Sequence, residues 1–195
     1  MSILFSQEEK KKDRKISFHM DEPDAALRFG KSFQQMLVDH SRDKVQPKIV
    51  VCIGTDRSTG DCLGPLIGTK MAETNHTGLE VFGTLDEPVH AGNLTDYLHK
   101  IRANWHSPFI IAIDACLGRM DSVGIVNIGT GALRPGAGVN KDLPPVGNLH
   151  ITGIVNVGGF MEYFVLQNTR LSTVMRMANL ISAGMTYGWS QYRLS

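Results

Sequence analysis

Three observations predict an α/β fold, a three-layer sandwich built around a mostly parallel sheet. Short apolar runs rich in β-branched residues alternate along the chain with stretches of helical periodicity. The order strand, loop, helix occurs twice in succession between Lys48 and Ala103, and a third strand follows it. At 195 residues and 42% hydrophobic composition, the chain can bury one substantial core but not two. Alternation of this kind selects parallel strands with helices on both faces of the sheet.

The elements follow in order. Glu8 to Lys15, EEKKKDRK, is a charge run without apolar periodicity, so residues 1–20 are expected to form a flexible N-terminal arm ahead of a single domain over 21–195. From about Asp21 to Arg42, Ala26, Phe29, Phe33, Met36 and Leu37 recur at helical spacing, with Pro23 suited to the first turn. Lys48 to Ile53 is an apolar run of strand length, and after a Gly- and Thr-rich loop LGPLIGTKMAE reads as helix. Leu79 to Leu85 reads as strand, Asn93 to Ala103 as helix and Phe109 to Ile113 as strand. Gly124 to Ile128 and Leu149 to Val155 are further strands, separated by a Gly- and Pro-rich loop from Gly129 to Pro145. Helices over Gly159 to Gln167 and Leu171 to Gln191 close the chain, the second capped by Ser172.

Composition narrows the function classes. Twenty basic and nineteen acidic residues give a net charge of +1, a balance that offers no field to draw nucleic acid or an anionic membrane. No apolar run is long enough to span a bilayer and the N-terminus lacks a secretory apolar region, so the expected location is cytoplasmic. Three cysteines, Cys52, Cys62 and Cys116, have neither disulfide-framework nor zinc-type spacing. The phosphate loop, the dinucleotide fingerprint and the serine nucleophile elbow have no match.

Two segments carry the chemistry. IVVCIGTDRSTGDCLGP, Ile49 to Pro65, and FIIAIDACLGR, Phe109 to Arg119, each run an apolar strand into a loop bearing an aspartate, Asp61 and Asp114. Loops at the carboxyl ends of parallel strands line the ligand crevice, so both carboxylates are expected in one site. Asp61 alone reads as a helix N-cap, but Asp114 shifts the balance toward function, because it ends an apolar strand, where a carboxylate needs a partner or a function. Two carboxylates in close approach do not both ionise cheaply, so one keeps its proton and the pair can activate water against an amide. The same oxygens could instead hold a divalent cation with His90 or His150, although no metal or other cofactor is required.

Further candidates surround the pair. Gly54, Thr55 and Asp56 follow the first strand, and His90 ends the second strand-to-helix loop, so all four are expected to bind substrate. Arg134 and Gly136 in RPGAGVNK, with Lys141, offer a cation and exposed backbone amides to a carboxylate or oxyanion. Asp86 and Glu87 are secondary carboxylates, and Cys62 and Cys116 are thiol nucleophiles to be weighed.

These segments resemble a known superfamily over roughly Val45 to Arg193. IGTDRSTGDCLGP and IAIDACLGR resemble the two segments that carry the catalytic aspartates of the germination protease of endospore-forming bacteria. TGALRPGAGVNK is similar to a third stretch of that protease, and GIVNVGGFMEYFVLQNTRL resembles the C-terminal signature of a related group of sporulation proteins. The chain departs from the pattern at Asp56, where asparagine is usual, and at Gly60, where the protease has proline.

The resemblance implies a phosphorylase/hydrolase-like fold shared with the hydrogenase maturation proteases, with Asp61 and Asp114 as the catalytic pair. It further implies a sporulation- or germination-associated endopeptidase of the forespore interior that acts on a protein such as a small acid-soluble spore protein, and a homo-oligomer. Its alternatives are a catalytically silent peptide-binding protein and a metal-dependent processing protease.

Overall fold

The computed structural model describes residues 14–74, 76–135 and 143–195. Six strands form one sheet, β1 (Lys15–His19), β2 (Lys48–Cys52), β3 (Leu79–Phe82), β4 (Phe109–Gly118), β5 (Ile125–Thr130) and β6 (Leu149–Val157). Five helices accompany them, α1 (Ala25–His40), α2 (Leu63–Glu73), α3 (Leu94–Asn104), α4 (Glu162–Gln167) and α5 (Leu171–Leu194). Strand order is β1-β5-β6-β4-β2-β3. The four strands from β6 to β3 are mutually parallel, whereas β5 runs antiparallel to both β6 and β1.

Strand periodicity sorts the core into two layers. Val50 and Cys52 of β2, with Ile111 and Ile113 of β4, face a large cluster supplied by Phe29 and Phe33 of α1, Leu63 and Ile67 of α2 and Met177 and Ile181 of α5. Ile49 and Val51, with Ala112, face a smaller cluster built from Leu94, Leu98 and Ile101 of α3. The result is the expected α/β/α sandwich, unequal in its two outer layers. Among the described residues, no helix is long and apolar enough to cross a membrane.

Several boundaries depart from expectation for physical reasons. Lys15–His19, assigned above to the arm, pairs with β5 as an edge strand, because Ile16 and Phe18 alternate inward against the core while Lys15, Ser17 and His19 face out. Pro23 lies before α1, whose N-cap is Asp24 in the left-handed region at φ 57°. Ser172 does not cap α5; Arg170 occupies that position and no side chain bonds the cap.

β4 runs five residues past Ile113, because β6 accompanies it as far as Val157. The partner on its other side, β2, pairs with it only from Phe109 to Ile113 and then turns away. Asp114 therefore sits inside a strand rather than beyond its end, at the point where one neighbour is lost.

The direction of the chain reverses at this point. From β2, α2 leads outward to β3 on one face, and α3 then returns on the other face to β4, on the far side of β2. A crevice opens between diverging connections at such a switch point, at the carboxyl ends of the strands.

Candidate active site

The β2–α2 loop is held by backbone contacts before any side chain acts. Gly54 N–H donates to Val89 O at 2.8 Å, and Thr55 N–H donates to Asp61 O at 3.2 Å, so the loop folds back on its own start. Gly54 has φ +149°, and a Cβ there would lie 2.0 Å from Asp61 O; glycine is what lets this turn close and fixes Asp61 over β2. Gly60 has a second role. Its N–H donates to Leu166 O at 2.8 Å, and a Cβ would press on Leu166 and Thr169, so the departure from proline seats the end of α4 against the loop.

Asp61 and Asp114 face one cavity of about 630 Å³. Gly54, Thr55, His90 and Arg134 also line it. Asp56 does not; it is exposed beside the loop, within hydrogen-bond reach of the Thr55 hydroxyl at 3.5 Å. Gly136 and Lys141 lie outside the described residues. Asp61 is no N-cap, since Cys62 holds that position and no side chain bonds it.

The two carboxyls have unequal environments. Burial drives Asp114 from an ordinary 3.8 up to about 8; a hydrogen bond from the Ala115 amide opposes the rise, and the nearby charge of Asp61 adds to it. Asp61 is also raised by burial, but to a lesser degree, and the Ser58 hydroxyl favours its ionised form. Ser58 Oγ is the one buried side-chain polar atom without a hydrogen-bond partner among the described residues, so it approaches Asp61 without closing a bond of normal geometry. Its proton is free to turn toward the carboxylate.

A polar row backs Asp114. Thr152 is its register partner on β6 and lines the cavity. Asn127, 4% exposed, donates to Thr152 Oγ1 at 3.4 Å and accepts from the Ser17 hydroxyl at 2.7 Å. The row crosses four strands, which sequence spacing alone does not show. Sequence reasoning also missed Glu162, Tyr163 and Leu166, which bring α4 to the cavity wall. The cluster Phe160, Met161, Tyr163 and Phe164, four exposed large apolar side chains in five residues, was the available signal.

The remaining candidates divide, with His90 and Cys116 on the cavity wall and His150, Asp86 and Glu87 off it. His90 Nδ1 accepts from Gly92 N–H at 3.0 Å, which leaves Nε2 as the ring nitrogen that can face a ligand. His150 Nδ1 lies 3.1 Å from Gly131 O and the residue does not line the cavity. Asp86 and Glu87 are exposed and away from it. Cys62 donates to Thr59 O at 2.9 Å, and burial raises its pKa as it does that of Cys116, so neither thiol is primed as thiolate. Among the described residues, no group of three or more His, Cys, Asp or Glu side chains converges to hold a metal.

Fold and site together define an α/β protein with a mostly parallel sheet and two aspartates lining one cavity at the switch point. The fold is similar to that of the [NiFe] hydrogenase maturation protease HycI from Thermococcus kodakarensis KOD1, with TM-score 0.51 and 16% identity over 77% of this chain and 99% of that one. The chain belongs to the family described as "Protein of unknown function (DUF1256)", which matches residues 17–184. It is 52% identical over 197 residues, covering 98% of this chain and 93% of its relative, to "Uncharacterized protein YyaC" of Bacillus subtilis (strain 168).

Proposed function

We propose that the chain is a peptidase that uses Asp61 and Asp114 as an acid–base pair. The observation that carries the reading is the convergence on one cavity of two half-buried carboxyls that desolvation raises to unequal degrees. Near neutral pH, Asp114 holds its proton while Asp61, the less desolvated of the two, ionises first. Asp61 takes a proton from water as the water oxygen bonds the peptide carbonyl carbon. The Asp114 proton then goes to the departing nitrogen as the carbon–nitrogen bond breaks. Transfer of a proton from Asp61 to Asp114 restores the pair.

The substrate is a protein or peptide. Exposed apolar side chains at Phe160, Met161, Tyr163 and Phe164, with Tyr163 on the cavity wall, support an extended partner. The resemblance of the two aspartate segments to the germination protease supports a spore protein of the small acid-soluble class, met in the forespore interior. No cofactor enters the scheme.

The test is cleavage of such a protein by the purified chain, by Asp61→Asn and by Asp114→Asn, each with and without chelator. Both variants should lose at least about a hundredfold in rate while staying folded, and the chelator should have no effect. Undiminished cleavage by either variant would overturn the proposal. Binding without cleavage by the unaltered chain across pH would make it a silent binding protein instead.

A further inference from the structure

We propose that the opposite end of the sheet carries a binding site for a small oxyanion, a molecule bearing phosphate or carboxylate. Lys48 is the first residue of β2, a strand with every residue buried, and is itself 1% exposed. It lines a second cavity of about 280 Å³, together with Lys44, Glu80, Trp105, Trp189 and Arg193. This cavity lies at the amino ends of β2 and β3, away from Asp61 and Asp114.

The ammonium of Lys48 has no carboxylate partner among the described residues. It donates to the Asp43 carbonyl and lies 5.2 Å from the centroid of the Tyr192 ring. The Asp43 carboxylate is engaged elsewhere, accepting from Gln46 N–H at 2.6 Å and from Arg42 Nε at 3.3 Å. A lysine has three donors, and a buried ammonium without a counter-ion is unfavourable unless an anion answers it. The rest of the lining repeats the imbalance. Lys44 and Arg193 form no ion pair among the described residues, Arg193 spends one donor on Thr77 O at 3.2 Å, and Glu80 is the single carboxylate facing three cations.

The walls are aromatic and braced. Trp105 packs edge-on against Phe82 with centroids 5.9 Å apart, and Trp189 stacks on Tyr192 at 5.6 Å. The cavity therefore suits an oxyanion carried on a small ring or apolar group, with the charged end toward Lys48 and Arg193. This site is independent of the peptidase reading.

The chain has two tryptophans, Trp105 and Trp189, and both line this cavity, so intrinsic fluorescence reads it directly. Inorganic phosphate, phenyl phosphate and benzoate would be titrated against sodium chloride at matched ionic strength. A saturable change with at least one of the three is expected. Lys48→Met should weaken it at least about tenfold and Arg193→Gln severalfold, with Asp61→Asn unchanged. Preference for phenyl phosphate or benzoate would mark an organic ligand and equal response to inorganic phosphate a free anion; both uphold the site.

Arg193→Gln and Lys44→Gln keep the test open if Lys48→Met does not fold, since both positions are exposed. The proposal is overturned if the unaltered chain shows no saturable response beyond chloride, or if binding is equally tight in every cationic variant. In either case Lys48 serves only to hold the α1–β2 turn through the Asp43 carbonyl.

Discussion

Replacing Asp114 with asparagine should make the protein more stable near neutral pH, and the gain should grow with pH. The folded pKa is about 8 against 3.8 for an ordinary aspartate, so between those values the folded state keeps a proton that the unfolded chain releases. The unfolded state then binds fewer protons, and stability falls as pH rises, by about 1.4 kcal/mol per pH unit for one proton. The contribution of Asp114 is fully favourable below the unfolded value and is lost progressively until pH passes the folded one. At about pH 7 the penalty reaches roughly 4 kcal/mol as a ceiling, which relaxation and water in the cavity reduce to about 2–4 kcal/mol. Asparagine keeps the shape and has no proton to lose. Urea unfolding of both proteins from pH 4.5 to 8 measures the difference directly, because every other titrating group is common to the two. A difference that does not change with pH would refute the argument that burial holds the proton on Asp114.

Three further outcomes follow from the same geometry. The pH profile of cleavage should be a bell whose acid limb is displaced upward from that of an ordinary aspartate, as Asp61 ionises, and whose alkaline limb falls near the Asp114 value of about 8; a profile flat across neutrality and beyond pH 9 would contradict the pair. Gly54→Ala should cost about 2 kcal/mol or more in thermal or urea unfolding, since the new Cβ meets Asp61 O at a φ that L residues avoid, and should reduce cleavage beyond what the lost stability explains. Arg134→Ala should raise KM severalfold with kcat little changed, because Arg134 is exposed on the cavity wall and its charge is not among the influences on either aspartate; a fall in kcat with KM unchanged would move it into the chemistry.

Much of this fold is written in local pattern. The run LGPLIGTKMAE coincides with α2, and Leu94, Leu98 and Ile101 form the buried stripe of α3, because apolar spacing reports which side of a helix meets the sheet. Asp114 stood out for a related reason, since a carboxylate at the end of an apolar run is chemically out of place, and Asp61 drew weight from it as the aspartate of the loop after β2. What escaped is non-local. Thr152 matters only through the register that sets it beside Asp114, and Asn127 through the register that sets it behind Thr152, and no spacing along one strand encodes its neighbour. β1 was hidden by the charge run that overlaps its first residue, although its alternation of Ile16 and Phe18 with polar positions was in plain view. Lys48 passed as one end of an apolar strand, because a lysine at a strand terminus is ordinary until the strand proves fully buried.

The inequality of the two aspartates follows from the topology rather than from the residues themselves. Asp114 is on a strand that continues beyond its partner β2, so β6 fixes its backbone while the vacated side opens to the cavity, where desolvation outweighs the hydrogen bond from the Ala115 amide. Asp61 is on a loop, tied at Thr55 and at Gly60 but ending in a carboxyl that the Ser58 hydroxyl can meet. A desolvated carboxyl is a standing cost to the fold, and one that keeps its proton at neutral pH suits the acid role proposed for it. An aspartate kept at position 114 only for structure would be better replaced by asparagine. The stabilising substitution and the inactivating one should therefore be the same substitution.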